Sequence, residues 1–166
     1  NRRGFTNQGD NLLSHAWRHR LPLTALMLDL DHFKQINDSL GHAVGDEVLI
    51  SVADRIRAQL REHDLVARLG GDEFAVLLTP LQSRSDAELI AEKIVASMKL
   101  PVQLDSGSSI ATSLSVGIAF YPQDGTDPAS LLDAADAAMY QAKRKHRGHW
   151  QVAQTERSAT EIKNRS

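Results

Sequence analysis

Arg68-Leu-Gly-Gly-Asp-Glu-Phe74 is the stretch whose reading decides the fold. The run Asp64-Leu-Val-Ala-Arg-Leu69 leads into it and Phe74-Ala-Val-Leu-Leu-Thr79 continues from it, so a Gly-Gly turn joins two β-compatible segments as in a hairpin. Asp72 and Glu73 then stand at or just past the tip. A turn needs one polar residue, and two acids beside two glycines are an excess. Carboxylates clustered next to unhindered backbone suit a divalent cation with a phosphate lying close. A solvated turn would account for an isolated Gly-Gly-Asp-Glu, so the decision rests with the rest of the chain.

Working outward, Leu23-Thr-Ala-Leu-Met-Leu-Asp-Leu30 is nearly continuous in apolar residues, the pattern of a strand buried on both faces. A short helix follows with Phe33, Ile36 and Leu40 facing inward and Gly41 as its stop. Val48, Leu49, Val52, Ala53, Ile56 and Leu60 form the stripe of a longer helix. Upstream, Leu12, Leu13, Ala16 and Trp17 mark a first helix. Downstream, Ser85 and Glu88 form a capping box ahead of a helix carrying Leu89, Ile90, Ile94 and Met98. A strand is expected from Ile110 to Tyr121, and Asp127-Pro128 supplies N-cap and first position of a helix reaching about Lys145. Trp150-Gln-Val-Ala153 reads as a short edge strand, and a polar tail covers 154–166. Without regular βαβ alternation, and with a hairpin in the middle, the class is α+β: helices covering a mostly antiparallel central sheet, in one domain over 1–153.

A chain of 166 residues is large enough for its own core. A net charge of −2 gives no basic field for nucleic acid. The lack of cysteine excludes disulfides, thiolate zinc sites and cysteine nucleophiles, and fits a reducing compartment. No apolar run approaches the ~18 residues of a membrane span, and no signal peptide opens the chain. The expectation is a cytoplasmic domain without direct membrane contact, compatible with a membrane-anchored parent. The start at Asn1-Arg2-Arg3 is abrupt, as if cut from something longer. Neither a Gly-x-x-x-x-Gly-Lys-Ser/Thr loop nor a strand followed by Gly-x-Gly-x-x-Gly occurs, which disfavours P-loop and dinucleotide-binding folds.

The apolar strand ends in Asp29-Leu30-Asp31, and a carboxylate there is costly unless paired or bound to metal. For Asp31 the preferred reading is N-cap of the next helix. Asp29 has no such local role. If its strand neighbours the hairpin, Asp29 and Asp72 clamp cations from two strands; a salt bridge to Lys or Arg is the alternative. Asn37 and Asp46 carry the amide and carboxylate that a guanine edge requires, although Asp46 as helix cap and Asn37 as surface residue would also explain them. Lys143 and Arg147 offer positive charge to phosphates, or simply complement a helix C-terminus. Arg61 and Asp64, three apart, form at least an ion pair worth ~0–1 kcal/mol.

The order of these motifs resembles the GGDEF family, the diguanylate cyclases, from Asn1-Arg2-Arg3 to about Arg147. The anchors are Leu28-Asp-Leu-Asp-His-Phe-Lys-Gln-Ile-Asn-Asp38, Gly41-His-Ala-Val-Gly-Asp46, Arg68 to Phe74, Ser115-Val-Gly-Ile118 with Tyr121-Pro122, and Ala135 to Lys143. The resemblance implies a palm-like (ferredoxin-like) sheet with a protruding Gly-Gly-Asp-Glu hairpin, and an enzyme joining two GTP into cyclic di-GMP with release of two pyrophosphates. It implies magnesium, or manganese, on Asp29, the Leu30 carbonyl, Asp72 and Glu73, with Asp72 or Glu73 helping to deprotonate the 3′-hydroxyl. Lys34 would stabilise phosphate charge, aided by the main chain at His32 and Phe33 and by Lys143 and Arg147. Asn37 and Asp46 would read guanine with His42 nearby, and Gly70 and Gly71 would let backbone approach the nucleotide. Arg61 and Asp64 fall in the register of a product-binding inhibitory site. A two-fold symmetric product implies a transient homodimer, ordinarily governed by an upstream sensor domain. One departure is His146-Arg147-Gly148 in place of the family's Gly-Arg-Asn, which bears on Arg147; another is a polar Thr6 to Asn11. Two other readings stand beside it: a catalytically weak module binding GTP or cyclic di-GMP, and a domain regulating an adjoining phosphodiesterase. An ATP cyclase suits Asn37 and Asp46 less well.

Overall fold

The computed structural model describes residues 2–154, the side chains of Arg2 and Thr6 aside; the expected tail beyond Gln154 lies outside the described residues. The elements run α1 (Arg2–His19), β1 (Leu23–Leu30), α2 (Phe33–Leu40), α3 (His42–Ala58), β2 (Leu65–Gly70), β3 (Glu73–Leu78), α4 (Arg84–Ser97), β4 (Val102–Gln103), β5 (Ser109–Ile110), β6 (Leu114–Tyr121), α5 (Pro128–Lys145) and β7 (Trp150–Val152). The five-stranded sheet has the order β2-β3-β1-β6-β7, antiparallel except for the β6–β7 pair, with β4–β5 as a separate ribbon. This is the expected α+β class with a mostly antiparallel sheet.

Period-two alternation divides the sheet between two cores. Leu26, Leu28, Val76, Val116 and Ile118 pack under α2, α3 and α4 through Phe33, Val52, Ile56, Ala91 and Ile94. Ala25, Met27, Leu77 and Ala119 pack under α1 and α5 through Phe5, Leu13, Leu131, Ala135 and Met139. Because β1 and β6 are covered on both faces, their sequences are mostly apolar, as read for β1, with Thr24, Asp29 and Ser115 the polar exceptions. Gly117 of β6 lies directly beneath α5, where an added Cβ would run into the main chain of Ala135 and Met139.

Several local expectations are corrected. α1 spans Arg2–His19 and contains Leu12, Leu13, Ala16 and Trp17 as expected, although Trp17 is 70 % exposed. Leu40 and Leu89 are also exposed, because the inward stripes of α2 and α4 are narrower than their apolar residues suggest. The α4 capping box is Ser83 with Asp86, not Ser85 with Glu88. The expected Ile110–Tyr121 strand is broken: Ile110 belongs to the ribbon, and the sheet strand starts at Leu114. Gly41, with φ 91°, stops α2 as expected, but α3 starts immediately at His42. Asp46 therefore lies inside α3 and does not cap it. Asp127 does cap α5, accepting from the Ser130 amide at 2.8 Å.

Candidate active site

The site forms where β1 and β3 end. β1 pairs with β3 in a register that sets Asp29 opposite Glu73, so the two side chains share the α5 face of the sheet. Gly71 and Asp72 make the hairpin's two-residue turn; Gly71 adopts φ 47°, a left-handed conformation that glycine takes without strain. The Asp72 carbonyl accepts from the Leu30 amide at 3.3 Å, which ties the turn to the end of β1. The Asp72 carboxyl is close enough to Asp29 to raise its pKa. The hairpin and the apolar strand are thus neighbours, the condition on which bringing Asp29 and Asp72 together depends.

Lys143, reaching over from α5, donates to Asp29 Oδ2 at 2.7 Å. This is the salt bridge considered for Asp29, and Lys143 is held inside the site rather than merely ending a helix. The other Asp29 oxygen, Oδ1, is buried and has no hydrogen-bond partner among the described residues. Burial first, and then the Asp72 carboxyl, raise the Asp29 carboxyl from 3.8 to about 6 against the lowering influence of Lys143. A carboxylate with a spare buried oxygen beside a second acid is underneutralised, and a divalent cation meets that need. Among the described residues no three acidic or histidine side chains converge into a cage.

A pH dependence follows. Because its folded-state pKa is raised, Asp29 contributes stability that is full at acid pH and is lost as pH rises through about 6. A bound cation requires the ionised form, so magnesium should raise the melting temperature clearly above pH 6 and much less well below it. Thermal unfolding with and without magnesium on both sides of that value checks this; equal shifts would contradict it.

The loop from β1 into α2 carries the next group of residues. His32 has φ 59° and caps α2 without a side-chain bond, leaving it and Lys34 exposed at the helix's start. The first-turn amides there lack intrahelical acceptors, a natural place for anions. Asn37 packs on Gly45 of α3 so closely that its side-chain oxygen occupies the place of any Cβ at position 45. The glycine inside α3 thus seats Asn37 next to the residue preceding Asp46. His42 and Asp46 are exposed on the first turns of α3. Arg147 is exposed in the turn after α5, outside the contacts just described.

Asp31 is 2 % exposed and does not cap α2, since His32 is the N-cap. It accepts instead from Ser113 Oγ at 2.5 Å, Ser115 Oγ at 2.8 Å and the Gly148 amide at 3.0 Å. Sequence reasoning missed this network; its one signal is that Asp31 follows Asp29 by two and so shares its face.

Arg61 and Asp64 lie at the opposite end of the hairpin, about 20 Å from the turn at ~3.3 Å per strand residue. The Asp64 side chain has no exposed surface and pairs with Arg61 at 3.3 Å. Asp64 also accepts from the Thr79 amide and hydroxyl, each at 2.8 Å. Arg61 donates to the carbonyls of Thr79 at 2.5 Å and Pro80 at 3.2 Å. The pair fastens the start of β2 to the end of β3 and is more than a surface ion pair.

The chain belongs to the GGDEF family: the family model described as "Diguanylate cyclase, GGDEF domain" matches residues 1–149. It is 55 % identical over 154 residues to the diguanylate cyclase TpbB of Pseudomonas aeruginosa, covering 93 % of this chain and 35 % of that protein. It is 44 % identical over 147 residues to the bifunctional diguanylate cyclase/cyclic di-GMP phosphodiesterase MucR of the same species, covering 89 % of this chain and 21 % of that protein. The crystal structure of the TpbB GGDEF domain superposes with a TM-score of 0.90 at 54 % identity, covering 93 % of this chain and 96 % of the other. The chain thus spans about a third or less of the length of these curated relatives. No described helix is long and apolar enough to cross a membrane.

Proposed function

We propose that this domain is a diguanylate cyclase, condensing two GTP molecules into cyclic di-GMP with release of two pyrophosphates. The observation that carries the reading is the unpartnered buried oxygen of Asp29 beside Asp72 and opposite Glu73, on adjacent strands. Asp29, the Leu30 carbonyl, Asp72 and Glu73 hold magnesium or manganese, which when bound neutralises the triphosphate and polarises the α-phosphorus. Asn37 and Asp46 take the guanine edge, with His42 alongside. Lys34, the main chain of His32 and Phe33, Lys143 and Arg147 hold the phosphates, and Gly70 and Gly71 let the turn approach them. Asp72 or Glu73 receives the proton of the attacking 3′-hydroxyl. Its oxygen bonds to the α-phosphorus of the other GTP as the bond to pyrophosphate breaks, a step driven by positioning and electrostatics.

Each site takes one nucleotide, so two domains must face each other in a transient homodimer, with a sensor in the parent chain setting how often they meet. Pyrophosphate release should therefore rise more steeply than protein concentration, and should occur with GTP but not ATP. A strictly proportional rate, or equal use of ATP, sinks this reading. The likeness to the bifunctional MucR keeps a GTP- or cyclic di-GMP-binding regulatory role as the second reading, distinguished by GTP binding without turnover.

Feedback by product belongs to the same proposal. The half-exposed Arg61 side chain presents a guanidinium suited to the O6/N7 edge of guanine. Arg61→Ala should abolish inhibition by cyclic di-GMP while turnover persists; inhibition that is unchanged contradicts the assignment. Asp64→Ala is a different experiment. It strands the Thr79 amide and should cost roughly 1–3 kcal/mol in chemical unfolding, so it reports on the fold before it reports on inhibition.

A further inference from the structure

We propose that Asp31 is a positioning residue that retains Lys143 in the site when a cation claims Asp29; this rests on the cyclase reading for its consequence but not for its test. The Lys143 ammonium lies between two carboxylates, 2.7 Å from Asp29 Oδ2 and 3.9 Å from Asp31 Oδ1. The two differ in what they can offer. Asp29 has a buried oxygen without a partner and lies beside Asp72, the features that fit it to a cation. Asp31 is almost fully buried, with Ser113, Ser115 and Gly148 already donating to it, and has no room for a metal's shell.

Ionised Asp29 cannot serve Lys143 and a divalent cation equally, because cation and ammonium repel each other across it. Lys143 then loosens from Asp29, and Asp31, 3.9 Å from the ammonium, is a fixed acceptor already within reach. An amine held there stays beside the reacting phosphates instead of following its flexible stem into solvent. The remaining bonds of Asp31 make it a fixed post. Ser113 immediately precedes β6 and Ser115 is its second residue, and Gly148, at φ 74°, directly follows Arg147. One carboxylate thus joins the end of β1, the start of β6 and the turn after α5. Asp29 is a ligand; Asp31 sets where the neighbouring cations sit.

The test uses the chain as it is, with Asp31→Asn, Lys143→Ala and the double variant. Side-chain NMR signals of Lys143 are followed during titration with magnesium alone. In the unsubstituted chain they should move on magnesium addition yet stay those of an ordered group; in Asp31→Asn they should collapse to solvent-averaged values. Signals that do not respond to magnesium, or that stay equally ordered in Asp31→Asn, overturn the proposal. Binding of a non-hydrolysable GTP analogue with magnesium supplies the second readout. Asp31→Asn should weaken it about tenfold, the scale of one charge-assisted contact, and the double variant should bind no worse than Lys143→Ala. Additive losses would show that Asp31 does not act through Lys143. A purely structural role would lower the melting temperature without moving affinity, which is equally fatal. Neither readout needs turnover, so an ordered, metal-responsive Lys143 in a chain that makes no cyclic di-GMP would sink only the cyclase assignment.

Discussion

Asp29→Asn is expected to abolish measurable turnover while leaving the metal-free domain at least as stable as before. The two effects share one cause. The ionised carboxyl is disfavoured in the folded chain, as its rise to about 6 records, with burial the larger contribution and the Asp72 carboxyl the next. Exchanging it for an amide of the same shape removes a buried charge that the fold holds at a cost, while Lys143 keeps Asp31 within reach at 3.9 Å. The same exchange removes the anionic ligand on which cation binding depends. Losing this kind of charge stabilisation at a reacting centre costs ~10²-fold or more in rate. The paired measurement is pyrophosphate release together with thermal unfolding without magnesium, above pH 6. Turnover retained within a few fold would remove Asp29 from the metal site; a marked fall in melting temperature would show its charge to be structural. Sites that hold function at the expense of stability lose activity but not stability when such a group is replaced.

Gly117→Val carries the largest expected effect on folding. A Cβ at position 117 would meet backbone on α5, the Ala135 carbonyl and the Met139 amide and Cα, rather than a side chain able to turn aside. Relief requires α5 to lift from β6 along an interface that also carries Leu131, Ala135 and Met139. Overpacking of a dense core costs typically ~1–3 kcal/mol, and with backbone on both sides the upper end or beyond applies. Lifting α5 would also draw Lys143 away from Asp29, so turnover should fall with stability. Chemical denaturation gives the size; a change below about 0.5 kcal/mol, the range of an ordinary surface substitution, would mean the contact is not tight.

The parts of this architecture that were legible in the sequence depend on local pattern. The apolar run of β1, the Gly-Gly turn between two β segments and the Asp127-Pro128 start of α5 each report a local energy term, and all three hold in the structure. The pairing of Asp29 with the hairpin was a conditional inference, because strand adjacency is not a local property. Register errors arose where two local solutions compete. Ser83 with Asp86 and Ser85 with Glu88 fit the same capping pattern, and the chain's exit from β3 selects the earlier pair. Asp46 suits a helix cap by residue type, yet α3 already begins at His42. Gly45 is in fact a helical residue whose missing side chain makes room for Asn37.

Asp31 was the least legible residue of the site. Its sequence neighbours favour a cap, while its actual partners, Ser113, Ser115 and Gly148, are more than 80 residues away. A buried carboxylate is satisfied by whatever the topology brings to it, and that topology required β6 and the turn after α5 to converge on the end of β1. The same holds for Asp64, whose partner Thr79 is 15 residues on and adjacent only because the hairpin closes. Ordinary local pairing rules describe Arg61 and Asp64 as a weak ion pair, and the closed hairpin makes Asp64 a buried anchor.

Incubation of the domain with GTP and magnesium at high protein concentration, followed by mass spectrometry of the nucleotides, tests the central claim most directly. The account predicts cyclic di-GMP and pyrophosphate from the unsubstituted chain and none from Asp72→Ala combined with Glu73→Ala. Absence of cyclic di-GMP from the unsubstituted chain under conditions where it binds GTP, or undiminished product from the doubly substituted chain, would contradict it.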